Sequence, residues 1–561
     1  MRLCCGAFLL FAICVFQAVA ATDRPPVAAI SSAHPLATEA GMEILAEGGN
    51  AFDAAVAVSA VLAVVEPYSS GIGGGGFWLL HRARDGFEVM VDGREKAPLA
   101  ASRDMYLDAA GEVVPGLSVD GALAAGIPGE PAALDHIARF YGRLPLARSL
   151  QPAIRLAREG FVVDAYYRKL AQFRQAALQN DAEAGDIFLQ NGEVPDEGYR
   201  IVQTDLAETL AALARFGSAG FYRGPVARKL VDGMRAEGGI WTLDDLRQYR
   251  VVERAPVQAE FQGLRITSAA PPSSGGIALA AMLNMLANYD LPALDSVSRT
   301  HVIIESMRRA YRDRSIFLGD PDFVPVPLER LTSAAHAGRL AQSIQLDRVT
   351  PSSSLPGRDS ANGGRDTTHF SILDGAGNRV AATLSINYPF GACLVPPGTG
   401  VLLNDEMDDF SAKPGVPNVY GLVGAEANAI EPGKRPLSSM SPTFVESDEG
   451  VAILGTPGGS RIITMVLLGI LDHAAGNRPD SWVSLPRYHH QYLPDVVQYE
   501  ADAFDEDAIS ALTALGHNLK QLNSEYGNMQ AIYWDRSNGQ VYAASDPRGV
   551  GDARVALFGR Q

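Results

Sequence analysis

Thr367 stands where a loop rich in small and polar residues gives way to a strand-forming run. Residues 351–366 are rich in Ser, Gly, Pro and Asn, whereas residues 367–373 read TTHFSIL and residues 379–386 read RVAATLSI. Two β-prone runs around the turn GAGN predict a hairpin. A threonine at a chain N-terminus can act as a nucleophile, because its own α-amine serves as the base. Cleavage of the accessible Asp366–Thr367 bond would therefore create such a nucleophile.

This pattern also has an interpretation without chemistry, because β-branched residues commonly open strands. The wider sequence argues against it. The runs TTHFS from Thr367 and GNRVAATLSINYPFG from Gly377 resemble the signature of the γ-glutamyltranspeptidases, which are N-terminal-nucleophile hydrolases. Further blocks resemble segments of that family in the same order: EGGNAFDAAVA from Glu47, EPYSSGIGGGGF from Glu66, DGREKAP from Asp92, PPSSGG from Pro271, NDEMDDFSAKPGVPNVYGLVG from Asn404, KRPLSSMSPT from Lys434, TPGGSR from Thr456, RYHHQYLPD from Arg487 and ASDPRGVGDAR from Ala544. The resemblance runs from about Val27 almost to the C-terminus, so coincidence is not a serious rival.

Acyl transfer to a threonine also requires donors for the oxyanion that forms at the attacked carbonyl. The resemblance implies that Gly458 and Gly459, in the block TPGGSR, supply two backbone N–H groups. Glycine suits this task because two unhindered N–H groups can point at one oxygen. A Pro-Gly-Gly turn without chemistry is the alternative interpretation.

A γ-glutamyl group carries an α-carboxylate and an α-ammonium, so its site needs opposite charges at one end. An arginine can bind a carboxylate with two hydrogen bonds, and serine hydroxyls can add further donors. Acidic and amide oxygens can receive the ammonium. The resemblance implies Arg94, Ser438 and Ser439 for the carboxylate and Asn387, Glu406 and Asp409 for the ammonium. Two acids within four residues could instead form a solvated face.

Two more residues complete the expected site. The family has Thr two residues before the Asn, and this chain has Ser385, whose hydroxyl offers the same donor and acceptor with less rotamer restraint. Because side chains alternate along a strand, Ser385 and Asn387 are expected on one face, towards the nucleophile. Residues 414–424, PGVPNVYGLVG, match the family's lid loop, with Tyr420 as its aromatic gate. Lid closure would exclude water and favour an amine acceptor.

Other motifs carry less weight. Gly71, Gly73 and Gly76 satisfy G-x-G-x-x-G, but that nucleotide fingerprint needs a strand before it and a helix after it. Here a helical run precedes and a strand-like run follows, which predicts a close-approach turn instead. No cluster has metal-ligand spacing, since His489 and His490 are adjacent and H-E-x-x-H is absent. We also find no G-x-S-x-G elbow, and we expect no metal and no cofactor.

Composition limits the partners and the compartment. The 561 residues have a net charge of −17, which argues against a nucleic-acid partner because phosphate binding needs a basic face. Residues 1–20 combine Arg2, an apolar run and an Ala-x-Ala site, which predicts a cleaved signal peptide and export to the periplasm or the medium. An uncleaved anchor is the alternative. Only Cys393 then remains, so no internal disulfide can form, and we expect a small buried side chain there.

The elements that must position these residues are of mixed type. Residues 51–65 predict a buried helix, and helical periodicity recurs at 128–141, 149–160, much of 164–313, 461–473 and 503–515, whereas the chain after Thr367 is β-rich. Mixed elements without strict alternation suggest an α+β fold. The resemblance implies a four-layer αββα sandwich of the N-terminal-nucleophile type. It also implies a heterodimer of a large subunit (21–366) and a small one (367–561) made from one precursor.

The resulting hypothesis is an exported γ-glutamyltransferase and glutathione hydrolase. Its acyl-enzyme on Thr367 would pass the γ-glutamyl group to water, an amino acid or a dipeptide. A related acylase acting on glutaryl or cephalosporin side chains is the nearest alternative, and Asp409 argues against it because a glutaryl group has no ammonium. An exported solute-binding protein without catalytic activity is an alternative of another class.

Overall fold

The structure is a computed structural model that describes residues 24–355 and 367–557. The expected signal peptide and Asp366 lie outside these residues. The α-helices in the described part are α1 (Pro35–Ala46), α2 (Ala51–Val65), α3 (Glu130–Phe140), α4 (Leu146–Ser149), α5 (Gln151–Glu159), α6 (Ala165–Asn180), α7 (Ala182–Phe188), α8 (Thr204–Phe216), α9 (Ala219–Tyr222), α10 (Gly224–Ala236), α11 (Leu243–Gln248), α12 (Gly275–Leu286), α13 (Ser296–Phe317), α14 (Leu328–Leu331), α15 (Ala334–Gln342), α16 (Ile462–Ala474), α17 (Pro479–Ser484) and α18 (Glu506–Ala514). The strands there are β1 (Ala28–Ser32), β2 (Gly75–Arg82), β3 (Phe87–Gly93), β4 (Phe161–Val162), β5 (Arg200–Ile201), β6 (Val252–Arg254), β7 (Val257–Phe261), β8 (Leu264–Ser268), β9 (Thr368–Leu373), β10 (Arg379–Ser385), β11 (Thr443–Glu446), β12 (Gly450–Gly455), β13 (Tyr488–His489), β14 (Val497–Tyr499), β15 (Leu519–Gln521), β16 (Gln530–Asp535), β17 (Val541–Ser545) and β18 (Asp552–Ala556).

The predicted hairpin is confirmed as β9 and β10, which pair antiparallel with Leu384 opposite Thr368. Asp374 holds the turn, because its Oδ1 accepts the N–H groups of Ala376 at 2.9 Å and Asn378 at 3.0 Å. The hairpin lies inside a seven-stranded sheet of order β18-β1-β9-β10-β2-β3-β6. Both strands are buried along their whole length. The strand that begins after Thr367 is therefore held by neighbours on both sides.

Two sheets and two helical layers form the predicted sandwich. The second sheet has the order β17-β16-β12-β11-β8-β7, and it faces the first through contacts of β12 and β16 with β9 and β10. Helix α2 packs on the outer face of the first sheet, and α12 and α16 pack on the second. The side chains of β2 alternate accordingly. Trp78 and Leu80 join the core beside α2, whereas Phe77 and Leu79 join the core between the sheets.

Helix α2 is buried at every position, as its small apolar residues predict. It begins at a capping box in which Asn50 and Asp53 each accept a backbone N–H of the other residue. The glycine run follows this helix and leads into β2, so the order is opposite to that of a nucleotide fingerprint. A Cβ at Gly73 would collide with the backbone of Leu402. The prediction of a close-approach turn is confirmed.

The other predicted helices occur with boundaries shifted by a few residues. Helix α18, for example, begins at Glu506 because the Asp505 side chain caps it by accepting the N–H of Ala508. Cys393 is buried, and burial raises the pKa of its thiol to about 12, so the prediction of a buried side chain is confirmed. Among the described helices, none is both long and apolar enough to cross a membrane.

Candidate active site

A cavity lies at the end of the β9–β10 hairpin. Every predicted site residue within the described chain lines it except Gly458, which is the neighbour of the lining residue Gly459. The lining residues that the sequence did not predict are Leu422, Met440, Ser460 and Ile462. They follow predicted residues closely along the chain. Proximity to a motif is thus the one signal that would have found them.

Thr367 lines the cavity one residue before β9, and we call this part of the cavity the nucleophile end after the role predicted for Thr367. Its side chain is mostly buried, and its Oγ1 is 3.3 Å from Oγ of Ser385. The register brings the two together, because Thr368 pairs with Leu384 and the next step along the ladder faces Thr367 with Ser385. The hydroxyl contact predicted for Ser385 is therefore present.

Asn387 reaches the cavity by a different route from the predicted one. Strand β10 ends at Ser385, and Asn387 has a φ of 76°, so strand alternation does not place it. Its N–H instead turns back to Ser385 Oγ at 2.8 Å. Its Nδ2 donates to the carbonyl oxygen of Asp405 at 3.0 Å, which leaves Oδ1 as the accepting end of the amide. The same-face argument was wrong, although both residues line the cavity.

Gly458 and Gly459 form a tight turn between β12 and α16, with φ values of 139° and 56°. These values favour glycine. A Cβ on Gly459 would also lie 2.5 Å from Cδ1 of Tyr420. The backbone N–H groups of this turn lie close to the N-terminus of α16, where the helix dipole adds positive partial charge. The backbone conformation of the turn and the lack of space beside Tyr420 both favour glycine. The helix dipole in addition favours binding of an anion at the N–H groups of the turn.

Arg94, Glu406 and Asp409 line another part of the cavity, which we call the charged end. The side chain of Arg94 is buried, and it donates to the carboxylate of Glu406 and, at 2.5 Å, to Oδ2 of Asp409. A third carboxyl oxygen, Oε2 of Glu95, lies 3.4 Å from it. The sequence assigned Arg94 and the two acids to opposite charges of a substrate. In the structure they pair with each other across more than 300 residues of chain.

Burial governs the protonation of this cluster. It raises the pKa of Glu406 well above its usual range and also raises the pKa of Asp409, although Arg94 opposes both shifts. Burial likewise raises the pKa of Glu95 to about 8. Burial disfavours the charge on Arg94, but the surrounding carboxylates outweigh it and raise the pKa of the guanidinium. One cation among three carboxyls favours retention of a proton at neutral pH.

Ser438 and Ser439 lie on a turn that is held in place by hydrogen bonds from other segments. The N–H and Oγ of Ser274, in the PPSSGG block, donate to the carbonyl oxygen of Ser438 at 2.8 and 2.7 Å. Ser438 Oγ accepts the N–H of Met440 at 3.1 Å. Arg314 of α13 donates to Ser439 Oγ at 3.2 Å. Sequence reasoning missed Arg314, because nothing in the pattern of a long helix distinguishes it.

The segment predicted as a lid, residues 414–424, lines the cavity with Tyr420 and Leu422 and is held by hydrogen bonds to neighbouring carboxylates. Asn418 Nδ2 donates to Oδ1 of Asp409 at 3.1 Å, and the N–H of Val419 donates to Oδ2 of Asp408 at 2.8 Å. The hydroxyl of Tyr420 donates to the carbonyl oxygen of Asn387. The lid therefore contacts both the charged end and the strand end beside Thr367.

Among the described residues, no three His, Cys, Asp or Glu side chains are grouped so that they could hold a metal ion. His489 and His490 are buried and bind within the protein: His489 Nδ1 contacts the hydroxyl of Thr464 at 2.9 Å, and His490 Nε2 contacts Asp495 at 3.1 Å. Burial lowers the pKa of both imidazoles, to about 3 and about 4 respectively.

Comparison with known proteins places this geometry in a family. Residues 37–556 match the family model described as Gamma-glutamyltranspeptidase. The chain belongs to the γ-glutamyltranspeptidase family. A family member from Escherichia coli strain K12, named glutathione hydrolase proenzyme, is 42% identical over 568 residues, with 97% of each chain covered.

Two solved structures extend the comparison. The γ-glutamyltranspeptidase of Helicobacter pylori is 41% identical with a TM-score of 0.56, covering 61% of this chain and 96% of that chain. A cephalosporin acylase from Bacillus halodurans is 27% identical with a TM-score of 0.83, covering 97% of this chain and 99% of that chain. The sandwich is thus shared by transpeptidases and acylases, and the cavity must distinguish them.

Proposed function

We propose that this protein is a γ-glutamyltransferase and glutathione hydrolase that matures by cutting itself between Asp366 and Thr367. The observation that carries the proposal is the cavity itself. A threonine hydroxyl 3.3 Å from Ser385 and a buried arginine that pairs with two carboxylates line the same cavity. Such a site suits a substrate with a reactive amide at one end and an amino-acid head group at the other.

In the proposed reaction, Thr367 Oγ1 attacks the γ-carbonyl carbon while the α-amine of Thr367 takes the hydroxyl proton. The N–H groups of Gly458 and Gly459 stabilise the oxyanion. Collapse of the tetrahedral intermediate breaks the amide bond, and the leaving amine receives the proton from the ammonium. Water or an acceptor amine then attacks the ester, and Thr367 Oγ1 leaves with a proton. Ser385 holds Thr367 Oγ1 throughout.

When the amino-acid head group of the substrate binds, its charges replace the ion pairs that Arg94 forms with Glu406 and Asp409. Arg94, Ser438 and Ser439 bind the α-carboxylate, while Asn387, Glu406 and Asp409 bind the α-ammonium. Because Arg94 pairs with Glu406 and Asp409 in the structure, a zwitterion brings a carboxylate for the cation and an ammonium for the anions. Charge in the buried site stays balanced during this exchange, which limits the cost of desolvation.

Tyr420 would set the balance between water and amine acceptors. Its ring lies against Gly459, and its hydroxyl bonds the chain beside Ser385. A lid held in this way covers the acyl-enzyme and excludes bulk water. Amino acids and dipeptides are the proposed acceptors, and glutathione and other γ-glutamyl compounds are the donors.

We further propose export of the precursor through residues 1–20 and assembly of the mature enzyme from a large subunit (21–366) and a small subunit (367–561). The strand ladder supports the assembly, because β9 pairs with β1 and β10 with β2, so strands of both subunits are hydrogen-bonded within one sheet. Fractionation of a Gram-negative host with and without residues 1–20 tests export, and activity that stays with the cells' cytosol in both cases would contradict it.

A steady-state assay with three p-nitroanilides tests the function. γ-Glutamyl-p-nitroanilide should release p-nitroaniline, and glycylglycine should accelerate the release if an acyl-enzyme is shared by water and amines. Glutaryl-p-nitroanilide lacks the ammonium, and 4-aminobutanoyl-p-nitroanilide lacks the carboxylate. Faster turnover of the glutaryl compound than of the γ-glutamyl compound would favour an acylase. A protein that binds glutamate without releasing p-nitroaniline from any of them would be a binding protein.

A further inference from the structure

Arg314 is a buried cation behind the charged end of the cavity, and it has no carboxylate partner there. It lies near the C-terminus of α13 with only 4% of its surface exposed. Within residues 24–355 and 367–557, no carboxylate oxygen comes within ion-pair distance of its guanidinium. Buried charges in proteins are normally paired. An unpaired one beside a ligand cavity calls for an explanation.

The guanidinium uses two adjacent nitrogens on two hydroxyls. Its Nε donates to Ser274 Oγ at 2.9 Å, and one terminal nitrogen donates to Ser439 Oγ at 3.2 Å. Ser274 in turn donates through Oγ to the carbonyl oxygen of Ser438 at 2.7 Å. Arg314 thus holds both serines of the pair, Ser439 directly and Ser438 through Ser274.

These bonds decide which way the serine hydroxyls can donate. A guanidinium is only a donor, so Ser439 Oγ must accept from it, and the hydroxyl hydrogen must point elsewhere. Ser438 Oγ likewise accepts the N–H of Met440. Both serines line the cavity, and the described residues offer no acceptor within hydrogen-bond distance for either hydroxyl hydrogen. Each hydroxyl is left as a donor for an acceptor bound in the cavity.

The charges of the cluster point to the same conclusion. Arg94 already pairs with Glu406 and Asp409, so it alone does not make this end attractive to an anion. Arg314 adds a positive charge on the far side of Ser439. A cation that donates a hydrogen bond to a hydroxyl oxygen also polarises the hydroxyl group. The hydroxyl hydrogen then becomes a stronger hydrogen-bond donor.

We infer that Arg314 is a positioning and specificity residue for the α-carboxylate of the γ-glutamyl donor, acting through Ser439 and Ser274. The inference rests on the proposed function of the cavity and adds a residue that does not line it. Arg314 contributes binding rather than chemistry, because it contacts Ser439 and Ser274 and does not itself line the cavity. It should therefore affect KM more than kcat.

Calorimetric titration of the mature enzyme with L-glutamate and L-isoglutamine tests this role. The two ligands differ only in that isoglutamine carries an amide in place of the α-carboxylate. Arg314→Gln should weaken glutamate binding by about tenfold or more, as expected for loss of a charge-assisted bond, and isoglutamine binding by less than about threefold. Arg314→Lys keeps the charge but not the two-nitrogen fork, so it should recover part of the loss.

Two controls separate positioning from general stability. Arg299→Gln makes the same change near the start of α13, where Arg299 donates to the carbonyl oxygens of Leu291 and Leu294, and it should leave both affinities unchanged. In a Ser439→Ala background, Arg314→Gln should change the glutamate-to-isoglutamine ratio by less than it does in the wild type, because only the route through Ser274 remains.

The affinities of the Arg314→Gln variant for glutamate and isoglutamine decide whether Arg314 has this role. Unchanged glutamate affinity in Arg314→Gln would overturn the inference, and so would equal losses for glutamate and isoglutamine. If Arg314→Gln does not fold, the same comparison in Arg314→Lys and Ser274→Ala replaces it. Failure of the proposed function is visible separately, since the wild-type enzyme would then release no p-nitroaniline from γ-glutamyl-p-nitroanilide.

Discussion

The nucleophile end and the charged end of the cavity differ in the charge of their side chains and in the sequence separation of those side chains. At the nucleophile end, Thr367 and Ser385 are neutral hydroxyls on adjacent strands, and the register of one hairpin brings them within 3.3 Å. At the charged end, Arg94 meets Glu406 and Asp409, which lie more than 300 residues away in sequence. The geometry of the nucleophile end depends on the strand pairing of one hairpin. The geometry of the charged end depends on how segments distant in sequence pack together.

This difference teaches where each kind of substitution should act. A neutral hydroxyl contact contributes about 0.5–1.5 kcal/mol and tolerates conservative exchange. A buried ion cluster is sensitive to the loss of any member, because the remaining charge stays desolvated. We therefore expect graded effects near Ser385 and steep effects near Arg94, with loss of the nucleophile as the extreme case.

The largest effect is expected for Thr367→Ala. Without Oγ1 the chain has no nucleophile, so it should remain a single uncut polypeptide without γ-glutamyltransferase activity. The wild type should give two fragments on a denaturing gel, the smaller beginning Thr-Thr-His-Phe-Ser. Thr367→Ser keeps the hydroxyl and is the matched control, which should still cleave. An uncut wild type with full activity would disprove the mechanism.

Loss of either side of the ion cluster should come next. Arg94→Ala or Asp409→Ala leaves a substrate charge buried and unpaired, which costs about 2–5 kcal/mol. Both variants should still mature, because neither touches Thr367, but kcat/KM for γ-glutamyl-p-nitroanilide should fall by at least about tenfold. Arg94→Lys retains the charge and should lose less. Wild-type kinetics in both alanine variants would show that this end does not bind the head group.

Ser385 should show the graded behaviour of the nucleophile end. Ser385→Ala removes the bond to Thr367 and leaves the N–H of Asn387 without its acceptor. We expect self-cleavage and turnover to slow by about ten- to a hundredfold, from a loss of about 1–3 kcal/mol. Ser385→Thr keeps the hydroxyl and restrains its rotamer, so it should stay within a few-fold of wild type. Normal maturation and turnover of the alanine variant would show Ser385 to be a passive strand residue.

The stability of the protein, as distinct from its activity, should depend on pH through the charged end. Burial raises the folded-state pKa of Glu95 to about 8, above its unfolded value of about 4.3. The folded protein therefore holds this proton more tightly, and stability falls as pH rises through that window. Glu95→Gln stays neutral, so its Tm should approach or exceed the wild-type value between pH 5 and pH 8.

Scanning calorimetry at pH 5, 6.5 and 8 measures this shift as the difference in Tm between Glu95→Gln and wild type. Glu197→Gln changes an exposed carboxylate and should give a difference that does not vary with pH. A Glu95→Gln difference that is equally constant would mean that Glu95 is ionised throughout and that the cluster carries more negative charge than inferred.

Much of the nucleophile end could be predicted from sequence because its determinants are local. The GAGN turn and the β-prone runs specify the hairpin, and a hairpin fixes which residues face each other. Strand alternation failed only at Asn387, where the chain leaves the strand with positive φ. That backbone change depends on contacts with Asp405 and Tyr420, which no local pattern reveals.

By itself, the sequence determined the local elements, the residue types of the site and the family likeness, because backbone propensity and motif spacing act over short stretches. The pairing of Arg94 with Glu406 and Asp409 was decided only by tertiary structure, and so was the place of Arg314 behind Ser439. Arg94 follows β3, Arg314 lies on α13, and the serines lie on a turn before β11. Only the packing of the two sheets and their helices brings these side chains into one desolvated cluster, where their charges act on each other strongly.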